Sequence, residues 1–308
     1  MKDYLLKTLQ NWFIAGAAPA ADAANRDGVE WVRIVPFALM HVACVAVIWV
    51  GVSFAAVAVA LGLYLLRMFA VTGFYHRYFA HRSFKTSRSG QFVFAVLGAS
   101  AVQRGPIWWA AHHRHHHAHS DQDSDVHSPS QRGFIWSHMG WFLSKRYFVA
   151  DMSQVRDLMR FPELRLLDRF DILVPVALAV GVFFLGALLE RTSPGLGTTR
   201  WQMLVWGFFV STVVCYHATY SINSFAHRFG RQRFDTGDDS RNNLWLALLT
   251  LGEGWHNNHH RYPASARQGF FWWEIDVTYY LLRALAAVGI VRDLRPVPLA
   301  IRARGARP

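Results

Sequence analysis

Three runs without Asp, Glu, Lys or Arg constrain this chain more than anything else in it. They cover Ile34–Leu66, Ile172–Leu189 and Trp201–Ala226. The first holds 33 residues, which as one helix would measure about 50 Å against a hydrocarbon core of about 30 Å. A hairpin turning near Gly51-Val52-Ser53 fits better, its second helix running on through Arg67 to His76. With the other two runs this predicts four crossings. Charged residues are 17% of the 308, well below the soluble average of about 25%. Ser89–Gln103 is also charge-free but too short to span, so it is expected to lie at the interface or against the site.

Basic residues follow the second and fourth runs: Arg77, Arg82, Lys85 and Arg88, then Arg228, Arg231 and Arg233. The two turns carry few. The positive-inside rule then puts both termini on the cytoplasmic side. The expected fold is an all-α integral membrane protein, four transmembrane helices under a cytoplasmic helical cap. Residues 1–30 read as an interfacial segment rather than a signal peptide, 31–295 as the membrane-bound domain and 296–308 as a basic, disordered tail. The net charge of +12 flanks apolar runs, which points to lipid headgroups and acidic partners and away from nucleic acid. Cys44 and Cys215 sit inside apolar runs and read as core residues. There is no nucleotide-binding glycine motif.

Seven of the sixteen histidines fall between His112 and His127. His113, His116 and His117 stand at i, i+3, i+4 and share a helix face, as do His112, His115 and His116 in a second register. The same spacing recurs at His256, His259 and His260. His76 and His81 form a looser i, i+5 pair, which on an α-helix suits a helix end. Asn223 and His227 close the fourth run at i, i+4. So many imidazoles exceed what one metal binds, so two metals are expected. Redox-tolerant imidazole ligation with open positions suits non-haem iron and O2. A Glu-x-x-His appears only at Glu253–His256, so a carboxylate-bridged ferritin-type site does not fit. Asp121-Gln-Asp-Ser-Asp125 reads as a solvated loop, lacking the glycine and distal glutamate of a calcium loop. The aromatics around Trp136 and Trp141 suit a membrane interface.

The boxes HRYFAH, HRHHH and HNNHH resemble those of the membrane-bound fatty acid desaturases. NSFAH, GEGWHNNHHRYP and DVHSPSQRGFIWSHMGW resemble the stearoyl-CoA (delta-9-type) acyl-CoA branch, bacterial type, over roughly residues 35–290. The resemblance selects the box-two register beginning at His113. It implies nine metal ligands, His76, His81, His113, His116, His117, His227, His256, His259 and His260, with Asn223 acting through water. It implies two ferrous ions, O2 as co-substrate and a cis double bond set into a saturated acyl chain. It implies an acyl-CoA substrate, with Lys145 and Arg146 for its phosphates. An Arg-Asp pair common in that branch is replaced here by Ala111 and His112, which leaves an acyl-lipid as the alternative. With no His-Pro-Gly-Gly and no cysteine cluster, electrons should come from a separate ferredoxin or cytochrome. The competing readings are a His-box lipid hydroxylase or oxygenase, and a metal transporter. Transporters place ionisable ligands near the bilayer midplane, whereas these lie at run ends.

Overall fold

The computed structural model describes residues 27–29 and 31–305, so the expected interfacial segment lies almost wholly outside the described residues. Helix α1 (Trp31–Cys44) is followed by a turn and a short helix to Val50. Gly51, at φ +69°, reverses the chain. Ser53 then caps the amide of Ala56 and starts α2, Phe54–Ala80. Helix α5 (Leu173–Thr192) and helix α6 (Arg200–Ser224) complete a set of three long enough and apolar enough to cross a membrane. These coincide with the expected second, third and fourth crossings. The first expected crossing is shorter, being interrupted at residues 45–46.

The two reversals meet. Ser53 donates to Thr198 (2.8 Å), Gln202 to the carbonyl of Val50 (2.9 Å) and Trp206 to that of Gly51 (2.9 Å). Helices α2 and α6 therefore start at one end and run side by side. Arg67 is fully buried between them and donates to Ser211 and to Thr212 (2.6 Å). A charge at such depth survives only with partners of this kind.

Helix α2 changes pitch on the way. Over Ala70–Ala80 it winds as a π-helix, and the amide of His81 bonds the carbonyl of His76 at 3.1 Å. An i→i+5 bond stacks His81 one turn above His76, with ring centroids 4.8 Å apart. The i, i+5 pair does stand at a helix end, with His81 as the C-cap, and the wider winding brings both rings onto one face.

Helix α3 (Arg88–Ala99), 12 residues long, packs on the π-helical segment. Helix α4 (Pro106–His119) carries box two, with Pro106 in its first turn. The free amides of Ile107 and Trp108 are taken by Asp168 at 3.1 and 2.8 Å, a cap supplied from 60 residues away. Box three forms the short helix α7 (His256–Arg261), followed by α8 (Val277–Ala287). A two-residue ladder, β1 (Lys85–Thr86) on β2 (Val291–Arg292), ties the chain after α8 to the loop after box one. Instead of a disordered tail, residues Leu299–Gly305 form a helix, and Ile301 packs on Phe234, Phe270 and Phe271. Cys215 is buried and Cys44 half-buried, and they are not bonded to each other.

Gly98 carries the contact between α3 and the π-helical segment: a Cβ there would lie 2.0 Å from the Tyr75 ring, which is fully buried. Gly98→Ala should cost about 1–3 kcal/mol and lower the heat-unfolding midpoint in detergent. Gly181→Ala on α5 meets nothing within 4 Å and should cause no loss. Equal midpoints for the two variants would contradict this packing.

Candidate metal centre and its cavity

The ends of α2, α4, α6 and α7 converge. His76, His81, His113, His117 and His259 place one ring nitrogen each within 4.8 Å of all the others. His116, His227, His256 and His260 do the same beside them. Each H-x-x-H-H box divides between the two groups. In box two, i and i+4 (His113, His117) serve the first group and i+3 (His116) the second. In box three, His256 and His260 serve the second group and His259 the first. All nine histidines singled out by sequence meet, in the register that starts at His113. In the other register, His112 packs on Trp108 and Trp141 while His115 reaches the carbonyl of Ser124 (2.9 Å).

The nitrogens suit metal ions. Nε2 atoms of His76 and His259, His81 and His113, His117 and His259, and His227 and His256 approach to 3.0, 2.8, 2.9 and 3.0 Å. Two imidazoles bound at right angles to an ion at roughly 2.0–2.1 Å would place their nitrogens about 3 Å apart. His259 cannot satisfy both neighbours with a single Nε2 proton. Nε2 of His116 and His260 is buried without a hydrogen-bond partner.

Four carboxylates orient the rings from behind. Nδ1 of His116 donates to Asp125 (2.9 Å), that of His227 to Asp121 (2.8 Å) and that of His260 to Asp238 (2.6 Å). Nδ1 of His76 meets Glu253. A proton held on Nδ1 leaves the Nε2 lone pair facing inward. Sequence reading placed Asp121 and Asp125 in a solvated loop; the structure corrects this. Asp125 is buried, Asp121 is half-buried, and both grip imidazoles. Burial works to raise the Asp121 carboxyl, but His227 and Ser128 bring it down to about 2. Asp238 gave no local signal at all. Asn257 and Asn258, between the box-three histidines, are buried too. Asn257 accepts from the amides of Arg233 (2.8 Å) and Phe234 (2.7 Å), and Asn258 donates to Glu274 (2.9 Å). They lock α7 in place.

At six of the rings burial favours the neutral form, whereas at His116 burial is outweighed by Asp125, which raises it. Loss of solvation, then repulsion by neighbouring imidazoles, pushes His81, His113, His117, His256 and His259 well below the usual value. Burial also lowers His260, to about 4, against the pull of Asp238.

A cavity of about 480 Å³ reaches the first group at His113. Trp108, Trp109, Trp141 and Phe142 wall it, and Asn223 lines it with His113. Trp141 is therefore buried beside the site and stacked on Trp108 (5.6 Å), not set in a membrane interface as its sequence context suggested. Residues 102–104 also line the cavity, with Val102 and Arg104 at φ +61° and +71°. Such backbone needs holding. Tyr216 donates to the carbonyl of Val102 (2.9 Å) and Tyr75 to that of Arg104 (3.0 Å). Lys145 and Arg146 are not among the cavity's lining residues. Arg146 pairs with Asp27 (2.9 Å), and the Lys145 amide bonds the carbonyl of Gly28 (2.9 Å).

Helices of membrane-crossing length, a double cage of imidazoles that could hold metal ions and an apolar cavity at its edge are the parts of a membrane-associated protein of the His-box class. The fatty acid desaturase model matches residues 49–303, and the chain belongs to that family. It is 37% identical to an sn-1 stearoyl-lipid 9-desaturase of Anabaena variabilis, covering 88% of this chain and 96% of that one. It is 35% identical to an sn-2 palmitoyl-lipid 9-desaturase of Nostoc sp. (strain 36), covering 91% and 95%. It is 34% identical to an acyl-CoA 5-desaturase of Anemone leveillei, covering 96% and 90%.

Two outcomes are expected. Asp121→Asn or Asp238→Asn should weaken metal retention by roughly 10- to 100-fold, read by competition with a chelator. In metal-free protein, unfolded imidazoles titrate near 6.5 but the buried ones far lower, so acid favours the unfolded chain. Stability should be full above about pH 6.5 and fall below it, by up to ~1.4 kcal/mol per pH unit for each such ring. Heat unfolding of chelator-treated protein at about pH 7.5 and about pH 5.5 measures this; an unchanged midpoint would contradict neutral burial.

Proposed function

We propose that the protein is an iron-dependent acyl desaturase that removes two hydrogens from adjacent methylenes of a saturated chain to leave a cis double bond. O2 takes up those hydrogens with two electrons and two protons, and leaves as two waters. The observation that carries this reading is the pair of interleaved imidazole groups opening onto an apolar cavity. The nine histidines would hold two iron ions, with Asn223 contributing through water, and the ions would supply O2 activation. The chain's own part is positional. Asp121, Asp125, Asp238 and Glu253 hold the imidazoles in one tautomer. The tryptophans beside His113 exclude water and confine the alkyl chain, so that reaction meets only the intended carbons.

Residues 31–295 then form one membrane-bound domain that crosses four times in the inner membrane, with α1 and the short helix after it as the first crossing. The His-box end lies on the cytoplasmic side. This agrees with the basic residues after α2 and α6 and with the shared end at which all three boxes sit. The basic face would attract an acidic ferredoxin or a cytochrome as electron donor. Two acyl carriers fit. Acyl-CoA would place its phosphates near Lys145 and Arg146, but Arg146 is already paired with Asp27. An acyl-lipid accords with the activity named for the cyanobacterial relatives.

Expression in a host lacking unsaturated fatty acids, followed by mass spectrometry of the extracted lipids, tests the reading. A new cis alkene is expected from the wild type and none from His117→Ala. A hydroxylated chain without alkene would transfer the protein to the hydroxylases. Full activity in His117→Ala would refute the site.

A further inference from the structure

The cavity that ends at His113 has a second end. Leu39, Val176 and Val180 line it, yet they are 58%, 48% and 49% exposed. They stand on α1 and α5, which both pack on Met203–Val210. The seam between the two helices is floored by buried Phe208.

Isolated exposed aliphatic residues mean little on a soluble protein. Here α5 has membrane-crossing length, and Phe184, Leu185 and Leu188 along it are exposed as well. The mouth therefore faces acyl chains, not water. Its shape is also informative. Cavity residues recur at 172, the N-cap of α5, and at 175, 176, 179 and 180 along it, one stripe of a helix. Just before that stripe, the ion pair of half-buried Arg104 with buried Asp171 (2.9 Å) lines the cavity too. From Asp171 to Val180 the opening runs about 13 Å along the helix. It is a slit parallel to the helix axis, charged at one end and apolar along its length. An alkyl chain whose head stays at the membrane surface can pass such a slit sideways.

We infer that Leu39, Val176 and Val180 frame a lateral portal through which an acyl chain still esterified to a bilayer glycerolipid enters the cavity and reaches His113. This rests on the desaturase reading, and it selects the acyl-lipid over the thioester. A water-borne thioester would have to thread the cavity end-on and would not use the seam.

The test uses the full-length, iron-loaded protein in phosphatidylcholine vesicles. One arm needs no turnover: a phosphatidylcholine with a mid-chain diazirine is photolysed and the labelled peptides are mapped. Label is expected on the segment Trp108–His113, falling at least about tenfold in Val176→Trp and in Val180→Trp. Label on the outer surface near Leu188 should be unchanged. No label at Trp108–His113 in the wild type, or equal label in the variants, overturns the portal. In the second arm, with reductant and donor supplied, stearoyl chains are offered either as vesicle phosphatidylcholine or as stearoyl-CoA. Val176→Trp should cut conversion of the lipid at least about tenfold, and Leu188→Trp should not. Conversion of stearoyl-CoA alone, or equal loss with both substrates, also overturns the portal. If neither substrate is converted while the label still reaches Trp108–His113, the desaturase reading fails and the portal stands.

Discussion

The structure depends on the bond between an imidazole Nδ1 and a carboxylate, made four times behind the clustered rings. Imidazoles packed with their ring nitrogens facing one another are crowded and poorly solvated. They hold that arrangement only if something fixes each tautomer and resists ring rotation. Asp121, Asp125, Asp238 and Glu253 do this for His227, His116, His260 and His76. The carboxylates are anchored in turn. Asp121 accepts from Ser128 (2.6 Å) and from the amide of Asp239 (2.9 Å), while Glu253 shares Arg77 with Asp276. Much of the loop structure between α4 and α7 can be understood as support for these acceptors.

The rest of the fold brings four chain segments to one place. The two short reversals, joined through Ser53, Thr198, Gln202 and Trp206, set α2 and α6 in the same direction. Buried Arg67 then fixes their relative height. With both fixed, His76 and His227 arrive at the same level, where α4 and α7 can meet them.

How much was legible in the sequence follows from the range of each interaction. The i, i+3, i+4 boxes are local patterns, and all their histidines meet at the site, although each box divides between the two groups. The charge-free runs located α2, α5 and α6. The pair His76 and His81 was visible, but its spacing was read on an α-helix. The wider winding of Ala70–Ala80 depends on tertiary packing that no local pattern expresses. The carboxylates were missed for a similar reason. Asp121 lies 106 residues from His227, and Glu253 lies 177 from His76, counted from their numbers in the chain. Taken locally, Asp121 and Asp125 are indistinguishable from a hydrated loop, and Glu253 resembles a stray Glu-x-x-His. Trp141 misled because an aromatic residue near an apolar run suits a bilayer surface and a cavity wall equally well.

The division of each box between the two imidazole groups has a consequence for how such a site can change. A single residue inserted in α4 or α7 would turn everything beyond it by about 100°. Because neighbouring side chains on the same turn belong to different groups, both would lose donors together. Neither group can therefore be re-registered while its neighbour is preserved. The backbone of the pair is frozen as a unit, and room for variation lies in the carboxylates behind it and in the walls of the cavity in front.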